Sequence, residues 1–262
     1  KISLTDTVTV SEYAASMGGS QVFLEPGETQ NVETMMKCIS ISSANDACVA
    51  MAEHLAGSEG AFVEQMNAKA KALGMNNTTF YNCCGLDVTG HVSCARDVAL
   101  MSAELMKNHP WITNYTTTWM DTIIHTTRRG DSEFGLANTN KLVRFYSGCT
   151  GLKTGFTSGA GYCLSASAKR EGMELIAVVM GCETSKDRFN DCKMLLDRGF
   201  ANWSVVTPTL QGELTVPVKL GKETSVALEP GEAPQMLIDK AQKNSVVTQV
   251  TLEESVTAPV SK

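Results

Sequence analysis

The stretch that decides the fold is Gly148–Gly161, G-C-T-G-L-K-T-G-F-T-S-G-A-G, in which five glycines surround one cation, Lys153. It is too rich in glycine for a helix and is flanked by apolar, strand-prone residues, which predicts the edge of a sheet. Hydroxyls follow the lysine at Thr154, Thr157 and Ser158. Glycine inside a strand often marks the close approach of a backbone or a ligand. We therefore interpret the stretch as an anion-binding strand edge; the alternative is a hairpin with a solvated lysine.

Length and composition are those of a soluble globular protein with one large domain, or one large and one small. The chain has 262 residues, of which 43% are hydrophobic and 19% charged, and a net charge of -6. It contains no basic run, so nucleic acid is not an expected partner. No apolar run approaches the roughly 18 residues of a membrane span.

The nine cysteines are an odd and high number, but none of their spacings suggests a metal cage. No metal and no cofactor is therefore predicted. Most of the thiols are expected to be structural, since buried free cysteine behaves as a small hydrophobe; one or two disulfides are the alternative. The count itself favours a reducing compartment.

Hydrophobic periodicity predicts helices before the glycine stretch and a sheet around it. Val32, Met35, Met36 and Ile39 have the spacing of one helix face, and a second helix follows a break at residues 42–45. Further helices are predicted from Ser58, over 95–107 and over 185–203. The segments at Leu152, 162–168 and 173–180 predict an antiparallel meander, and the whole predicts an α+β fold.

The composition changes near Thr207-Pro208, after which a small β-rich domain is expected. Residues 214–220 alternate strictly, and a last strand is predicted over Val246–Leu252. The predicted domains are therefore 1–204 and 205–262.

Ser43-Ala44-Asn45 lies where the two helices meet. Serine and asparagine are good helix-capping residues, so capping alone could explain the triplet. Enzymes that form a penicilloyl-serine intermediate share three sequence motifs, S-x-x-K, S-x-N and K-T-G. Together with K-T-G at 153–155, the triplet supplies two of these three motifs.

On these motifs the chain resembles the D-alanyl-D-alanine carboxypeptidases, the low-molecular-mass penicillin-binding proteins. The similar segments occur in family order and include F-L-E-P-G-E, S-S-A-N-D-A-C-V-A-M-A-E, A-R-D-V-A-L, G-L-K-T-G-F-T and A-G-Y-C-L. The resemblance covers residues 1–203. It implies a β-lactamase/transpeptidase-like domain, an antiparallel sheet with a helical subdomain, followed by a small all-β C-terminal domain.

The resemblance also implies catalytic roles for Ser43, Asn45 and Lys153. Ser43 would pass a proton to the leaving D-alanine nitrogen. Asn45 would hydrogen-bond the amide carbonyl of the substrate and steady the catalytic lysine. Lys153 would supply positive potential for the terminal carboxylate of the peptide and for the Ser43 proton relay.

Substrate binding is implied for the residues after Lys153 and for Arg188. Thr154 and Thr157 would donate hydroxyls to the carboxylate, with Gly155 between them on the same strand. The backbone N–H of Phe156 would form one arm of the oxyanion hole. Arg188 would bind the carboxylate; the alternative is a surface helix arginine.

The chain departs from the family pattern in one serious respect, because no serine in residues 1–262 is followed by lysine three positions later. The S-x-x-K motif, which supplies the acylated serine and its base, is expected upstream of Lys1. Cys84 stands where many relatives have histidine, and no role is assigned to it. No amphipathic anchor helix is found at 257–262.

The first functional hypothesis is a serine-type D-Ala-D-Ala carboxypeptidase in the bacterial cell envelope, outside the cytoplasmic membrane. Its expected partners are peptidoglycan stem peptides ending in D-Ala-D-Ala and β-lactam antibiotics. The second hypothesis is a non-catalytic fragment or homologue that binds stem peptides. A class A β-lactamase is less favoured because the E-x-x-L-N motif is not found. Nine cysteines conflict with an exported protein, unless the source is anaerobic.

Overall fold

The structure is a computed structural model that describes residues 2–127, 130–209, 212–229, 231 and 233–260. Its α-helices are α1 (Glu12–Ala15), α2 (Val32–Ser42), α3 (Asn45–Ala56), α4 (Glu59–Ala72), α5 (Ala95–Asn108), α6 (Thr113–Thr116), α7 (Leu142–Phe145) and α8 (Ser185–Asn202). The strands are β1 (Thr7–Thr9), β2 (Thr29–Asn31), β3 (Met120–Thr127), β4 (Gly130–Ala137), β5 (Cys149–Thr157), β6 (Gly161–Arg170), β7 (Met173–Cys182), β8 (Trp203–Val206), β9 (Leu214–Lys219), β10 (Ser225–Leu228), β11 (Met236–Asp239) and β12 (Val256–Thr257).

The predicted meander is present as a sheet with strand order β5-β6-β7. Strands β5 and β6 are antiparallel, and Lys153 lies opposite Ser165 in their register. Two further antiparallel pairs, β1-β2 and β3-β4, precede this sheet in the chain. Helices and antiparallel strands therefore combine in an α+β fold, as predicted.

The two predicted helices on either side of the break are α2 and α3. Helix α2 begins after Asn31, whose side chain accepts a hydrogen bond from the N–H of Thr34, and ends at Ser43 in the left-handed conformation. Helix α3 begins at Asn45 and ends before Gly57, also left-handed. The left-handed Ser43 turns the chain sharply, so the S-A-N triplet forms a corner between two helices.

A core of aliphatic side chains holds this corner in place. Its fully buried members include Met35 and Ile41 of α2, Val49 of α3 and Leu136 of β4. Burying a side chain of this size stabilises the fold by about 1.5–3 kcal/mol. The corner is thus anchored from both helices and from the β3-β4 pair.

Gly151 shows why the decisive stretch is rich in glycine. A Cβ atom at this position would lie 2.7 Å from both Cβ and Oγ1 of Thr116, and the backbone φ is +135°. The hydroxyl of Thr116 in turn donates to the carbonyl of Thr150 at 2.7 Å. The close neighbour at this glycine is therefore helix α6, which packs directly against β5.

The described chain divides into two compact units, Lys1–Arg170 with Glu174–Asp197, and Glu171–Met173 with Arg198–Lys262. In the second unit β9 pairs antiparallel with β10 and parallel with β12, and β8 pairs with β11. The domain boundary at 204/205 stays a prediction.

The last strand predicted over Val246–Leu252 is wrong. These residues form no strand, and the last strand is β12, whose Val256 pairs with Val218 of β9. Val247 is 86% exposed and Val250 is 42% exposed, so the apolar alternation here faces solvent. The parallel edge of β9 is occupied by β12 instead.

All nine cysteines are free thiols, with Cys38 and Cys192 fully buried. Among the described residues, no helix combines the length and the apolar character needed to cross a membrane.

Candidate active site

The fold brings Ser43 and Lys153 into direct contact although 110 positions separate them in the sequence. The Nζ of Lys153 donates to the Oγ of Ser43 at 2.7 Å. Ser43 is delivered by the corner after α2, and Lys153 by the middle of β5. The sheet and the helical part of the molecule thus meet at this hydrogen bond.

Asn45 is fixed by the loop at residues 18–24, which follows α1. Its Nδ2 donates to the carbonyl of Gly18 at 2.7 Å, and its backbone N–H donates to the carbonyl of Ser20 at 2.8 Å. The neighbouring carboxylate of Asp46, which is buried, accepts from the N–H groups of Val22 and Leu24. These bonds hold the loop against the start of α3. The side chain of Asn45 is buried, so its position is well defined.

Lys153 has an acidic character that its surroundings explain. The pKa of its ammonium is lowered to about 8, chiefly by burial; Cys48 opposes this shift and the charge of Arg188 contributes to it. The Nζ also donates to the carbonyl of Thr154 at 3.1 Å. An amine with a pKa near neutrality can both hold and release a proton at physiological pH.

Thr154 is buried, and its hydroxyl is already engaged. It donates to Oγ1 of Thr139 at 2.6 Å. Thr139 follows Asn138, whose side chain donates to the carbonyls of Thr116 and Thr118. The sequence had predicted no role for Thr139. Two buried asparagines on either side of a threonine are the signal that could have indicated a built polar element.

The end of β5 is exposed at Gly155 and Phe156, and a turn follows at residues 158–160. The ring of Phe156 packs on Tyr162, with 4.3 Å between centroids. Oγ1 of Thr157 accepts a hydrogen bond from the N–H of Ala160 at 3.0 Å. The N–H of Gly159 donates to Asp87 at 3.2 Å. The G-L-D segment at 85–87 therefore braces this turn.

Arg188 lies in the first turn of α8 and is buried, so the alternative of a surface arginine is wrong. Its Nη1 donates to the carbonyls of Gly155 at 3.0 Å and Cys163 at 3.4 Å. The guanidinium also packs near the rings of Tyr162 and Phe189. Among the described residues, the Nε of Arg188 has no hydrogen-bond partner, and burial lowers the pKa of the guanidinium.

The two cations give this strand a positive field in a chain of net charge -6. Neither Lys153 nor Arg188 forms an ion pair with a carboxylate in the part of the chain that the structure describes. Partly desolvated cations without a carboxylate partner attract an anion strongly, because the local dielectric is low. The site is therefore suited to a ligand that carries a carboxylate.

A serine hydroxyl contacts a lysine of lowered pKa, and a second cation, Arg188 of α8, donates a hydrogen bond to the same strand. These groups suit an enzyme that transfers an acyl group next to a carboxylate. The family model described as D-alanyl-D-alanine carboxypeptidase matches residues 1–184. The D-alanyl-D-alanine carboxypeptidase DacF of Bacillus subtilis is 44% identical over 265 residues, covering 100% of this chain and 67% of the relative. The chain belongs to the D-alanyl-D-alanine carboxypeptidase family.

Two further comparisons agree. The D-alanyl-D-alanine carboxypeptidase DacC of Escherichia coli is 38% identical over 273 residues, covering 100% of this chain and 66% of the relative. The crystal structure of penicillin binding protein 5 from Haemophilus influenzae matches with a TM-score of 0.75 and 33% identity, covering 100% of this chain and 76% of that one. The predicted family and fold are confirmed. The chain spans about two thirds of the length of the curated relatives it matches.

Proposed function

We propose that this chain carries most of the active site of a serine-type D-Ala-D-Ala carboxypeptidase. The enzyme would remove the terminal D-alanine of peptidoglycan stem peptides through an acyl-enzyme formed on the serine of an S-x-x-K motif. β-Lactams would acylate that same nucleophilic serine. The observation that carries the proposal is the 2.7 Å hydrogen bond between Lys153 and Ser43. It places a proton relay beside an anion-binding strand.

In this mechanism Lys153 and Ser43 move the proton of the leaving group. The ammonium of Lys153 keeps the hydroxyl of Ser43 polarised, and Ser43 passes a proton to the D-alanine nitrogen as the peptide bond breaks. The amide of Asn45 hydrogen-bonds the carbonyl of the penultimate residue. Because its backbone is tied to Ser20, the amide is held in position before substrate arrives.

The terminal carboxylate binds along β5. Lys153 and Arg188 supply the charge, and the hydroxyls of Thr154 and Thr157 supply hydrogen bonds. The hydroxyl of Thr154 must turn from Thr139 to the ligand, while Oγ1 of Thr157 accepts from Ala160 and keeps its proton to donate. Gly155 leaves the strand edge open to the peptide, and the N–H of Phe156 stabilises the oxyanion.

The covalent nucleophile is not among residues 1–262, because no S-x-x-K motif occurs there. We infer that the natural polypeptide supplies this serine and its lysine outside these residues. The substrate places the enzyme on the outer face of the bacterial cytoplasmic membrane. A stem-peptide-binding protein without turnover is the less favoured function, since the matched relatives are named as carboxypeptidases.

The test is covalent labelling by a fluorescent penicillin, together with release of D-alanine from a peptide ending in Lys-D-Ala-D-Ala. The natural polypeptide that contains these residues should give a labelled band and release D-alanine, and residues 1–262 alone should give neither. Mass spectrometry of the labelled peptide should locate the acylated serine outside 1–262. A natural polypeptide that binds the peptide but gives no band and no D-alanine would contradict the proposal.

A further inference from the structure

A second polar cluster lies beside the active site and has no part in the chemistry above. It consists of Glu59, Cys83 and Cys84, hereafter the thiol cluster, whose possible ligand atoms all lie within 4.8 Å of one another. The Sγ atoms of Cys83 and Cys84 are 3.7 Å apart. Two zinc–sulfur bonds of 2.3 Å at the tetrahedral angle would separate the sulfurs by about 3.8 Å. The two thiols are therefore already at the spacing of a tetrahedral metal site.

The backbone around the two cysteines is fixed by Asn82. Its Oδ1 accepts hydrogen bonds from the N–H groups of Cys84, Gly85 and Leu86, and its Nδ2 donates to the carbonyl of Leu86. The loop is thus closed on itself by one side chain. Metal binding would not have to order it first, which lowers the entropic cost of binding.

Glu59 is fixed equally well at the start of α4. Its Oε2 accepts from the hydroxyl of Tyr13 at 2.7 Å, and its Oε1 accepts from the N–H of Cys83 at 3.0 Å. Each oxygen retains a lone pair for a metal. Burial disfavours the carboxylate, but the bonds from Cys83 and Tyr13 keep the pKa of Glu59 below its ordinary value. The group is therefore anionic at neutral pH.

The electrostatics of the cluster favour a cation. Glu59 forms no ion pair with a lysine or arginine among the described residues. A carboxylate without a cationic partner, beside two thiols, is completed in charge by a bound cation.

We propose that Glu59, Cys83 and Cys84 bind a thiophilic divalent cation of the zinc class. Two thiolates with one carboxylate suit zinc in preference to calcium or magnesium, which select oxygen ligands. Binding forms two metal–sulfur bonds and one metal–oxygen bond to Glu59, displaces water from the hydrated cation and releases the two thiol protons to solvent. No atom is oxidised or reduced.

Cobalt(II) is the probe that tests this site, because thiolate ligation gives it intense near-ultraviolet charge-transfer bands. The reduced protein is titrated with Co²⁺ and the bands are then displaced by Zn²⁺. One equivalent should bind with thiolate bands. The bands should weaken strongly in Cys83→Ser and Cys84→Ser, and the affinity should fall about 10- to 100-fold in Glu59→Gln.

Cys182→Ser is the matched control, because that thiol lies 3.9 Å from the carboxylate of Asp191 but has no adjacent cysteine. It should bind Co²⁺ as the parent does. Circular dichroism checks the folding of each variant; if a cysteine variant unfolds, Glu59→Gln decides. Absence of thiolate bands, an unchanged Co²⁺ affinity in Glu59→Gln, or a Cys83–Cys84 disulfide in the isolated protein would overturn the proposal.

Discussion

Two neighbouring sites in this molecule have opposite electrostatic character. Lys153 on β5 and Arg188 of α8, which faces that strand, are cations without a carboxylate partner among the described residues, and burial lowers the pKa of both. In the thiol cluster, the carboxylate of Glu59 lies beside two thiols and forms no ion pair with a lysine or arginine in the described part of the chain. Each site is therefore incomplete in charge, and each is completed by a ligand of the opposite sign.

Asn45 lies between the two sites. Its side chain belongs to the S-A-N corner, while its backbone carbonyl is 3.5 Å from the Sγ of Cys84. Cys48, on the same helix, raises the pKa of Lys153 and also that of Cys84. The two sites, which differ in charge, therefore both contact the first turn of α3. Variants on either side of that turn test how independent the sites are.

Removing the lysine should have the largest effect. In the natural polypeptide, Lys153→Ala should lower the rate of acylation by fluorescent penicillin by about 10² to 10⁴, because a proton-transfer group and half the positive field are lost together. Lys169→Ala, an exposed lysine on the adjacent strand β6, is the control and should act as the parent does. Equal rates for the two variants would remove Lys153 from the mechanism.

Removing the arginine should have the next largest effect. Arg188→Ala loses a charge that faces β5, and a hydrogen bond to a charged group contributes about 1.5–3 kcal/mol. The value of kcat/KM for a peptide ending in D-Ala-D-Ala should fall about 10- to 150-fold, whereas a peptide amide without the carboxylate should be affected much less. Arg198→Ala, exposed on the same helix, serves as control. Equal losses for acid and amide would indicate a structural role.

The pH dependence should show the coupling between the two cations. The pKa of Lys153 is lowered to about 8, and its protonated form holds the carboxylate, so acylation should fall as the pH rises through about 8. Arg188 contributes to that lowering, hence Arg188→Ala should move the alkaline limb to higher pH. A pH profile of acylation in parent and variant measures this shift. A limb that stays in place, or moves to lower pH, would contradict the coupling.

The sequence predicted the fold well where periodicity and glycine carry the information. The spacing of Val32, Met35 and Ile39 predicted α2, and the glycines of 148–161 predicted the strand edge, because both patterns are local. The alternation of apolar residues at Val246–Leu252 led to a wrong strand prediction, because strand pairing here depends on which segment reaches the edge of β9. Such competition between distant segments is not encoded in one window.

The site was predicted in part for a similar reason. Ser43, Asn45 and Lys153 stand in short motifs, so the sequence indicated them directly. Thr139 has no such motif and is placed by the packing of 138–140 against α6. The thiol cluster was missed because Glu59 is 24 positions from Cys83, and the fold alone brings them together.

The smallest expected effect tests the loop that fixes Asn45 between the two sites. Gly19 has φ +84°, and a Cβ there would lie 2.8 Å from the Nδ2 of Asn45; Gly27 has φ +78° with nothing within 4 Å. Alanine at either position should therefore lower the free energy of unfolding by about 1–2 kcal/mol, the cost of the left-handed conformation. Gly19→Ala alone should also displace the amide of Asn45 from the carbonyl of Gly18. Loss of one such hydrogen bond, about 0.5–1.5 kcal/mol, should slow acylation about 2- to 12-fold.

Urea denaturation and penicillin labelling on the same samples separate the effect on stability from the effect on acylation. If Gly27→Ala slows acylation as much as Gly19→Ala does, the effect comes from lost stability and not from the position of Asn45.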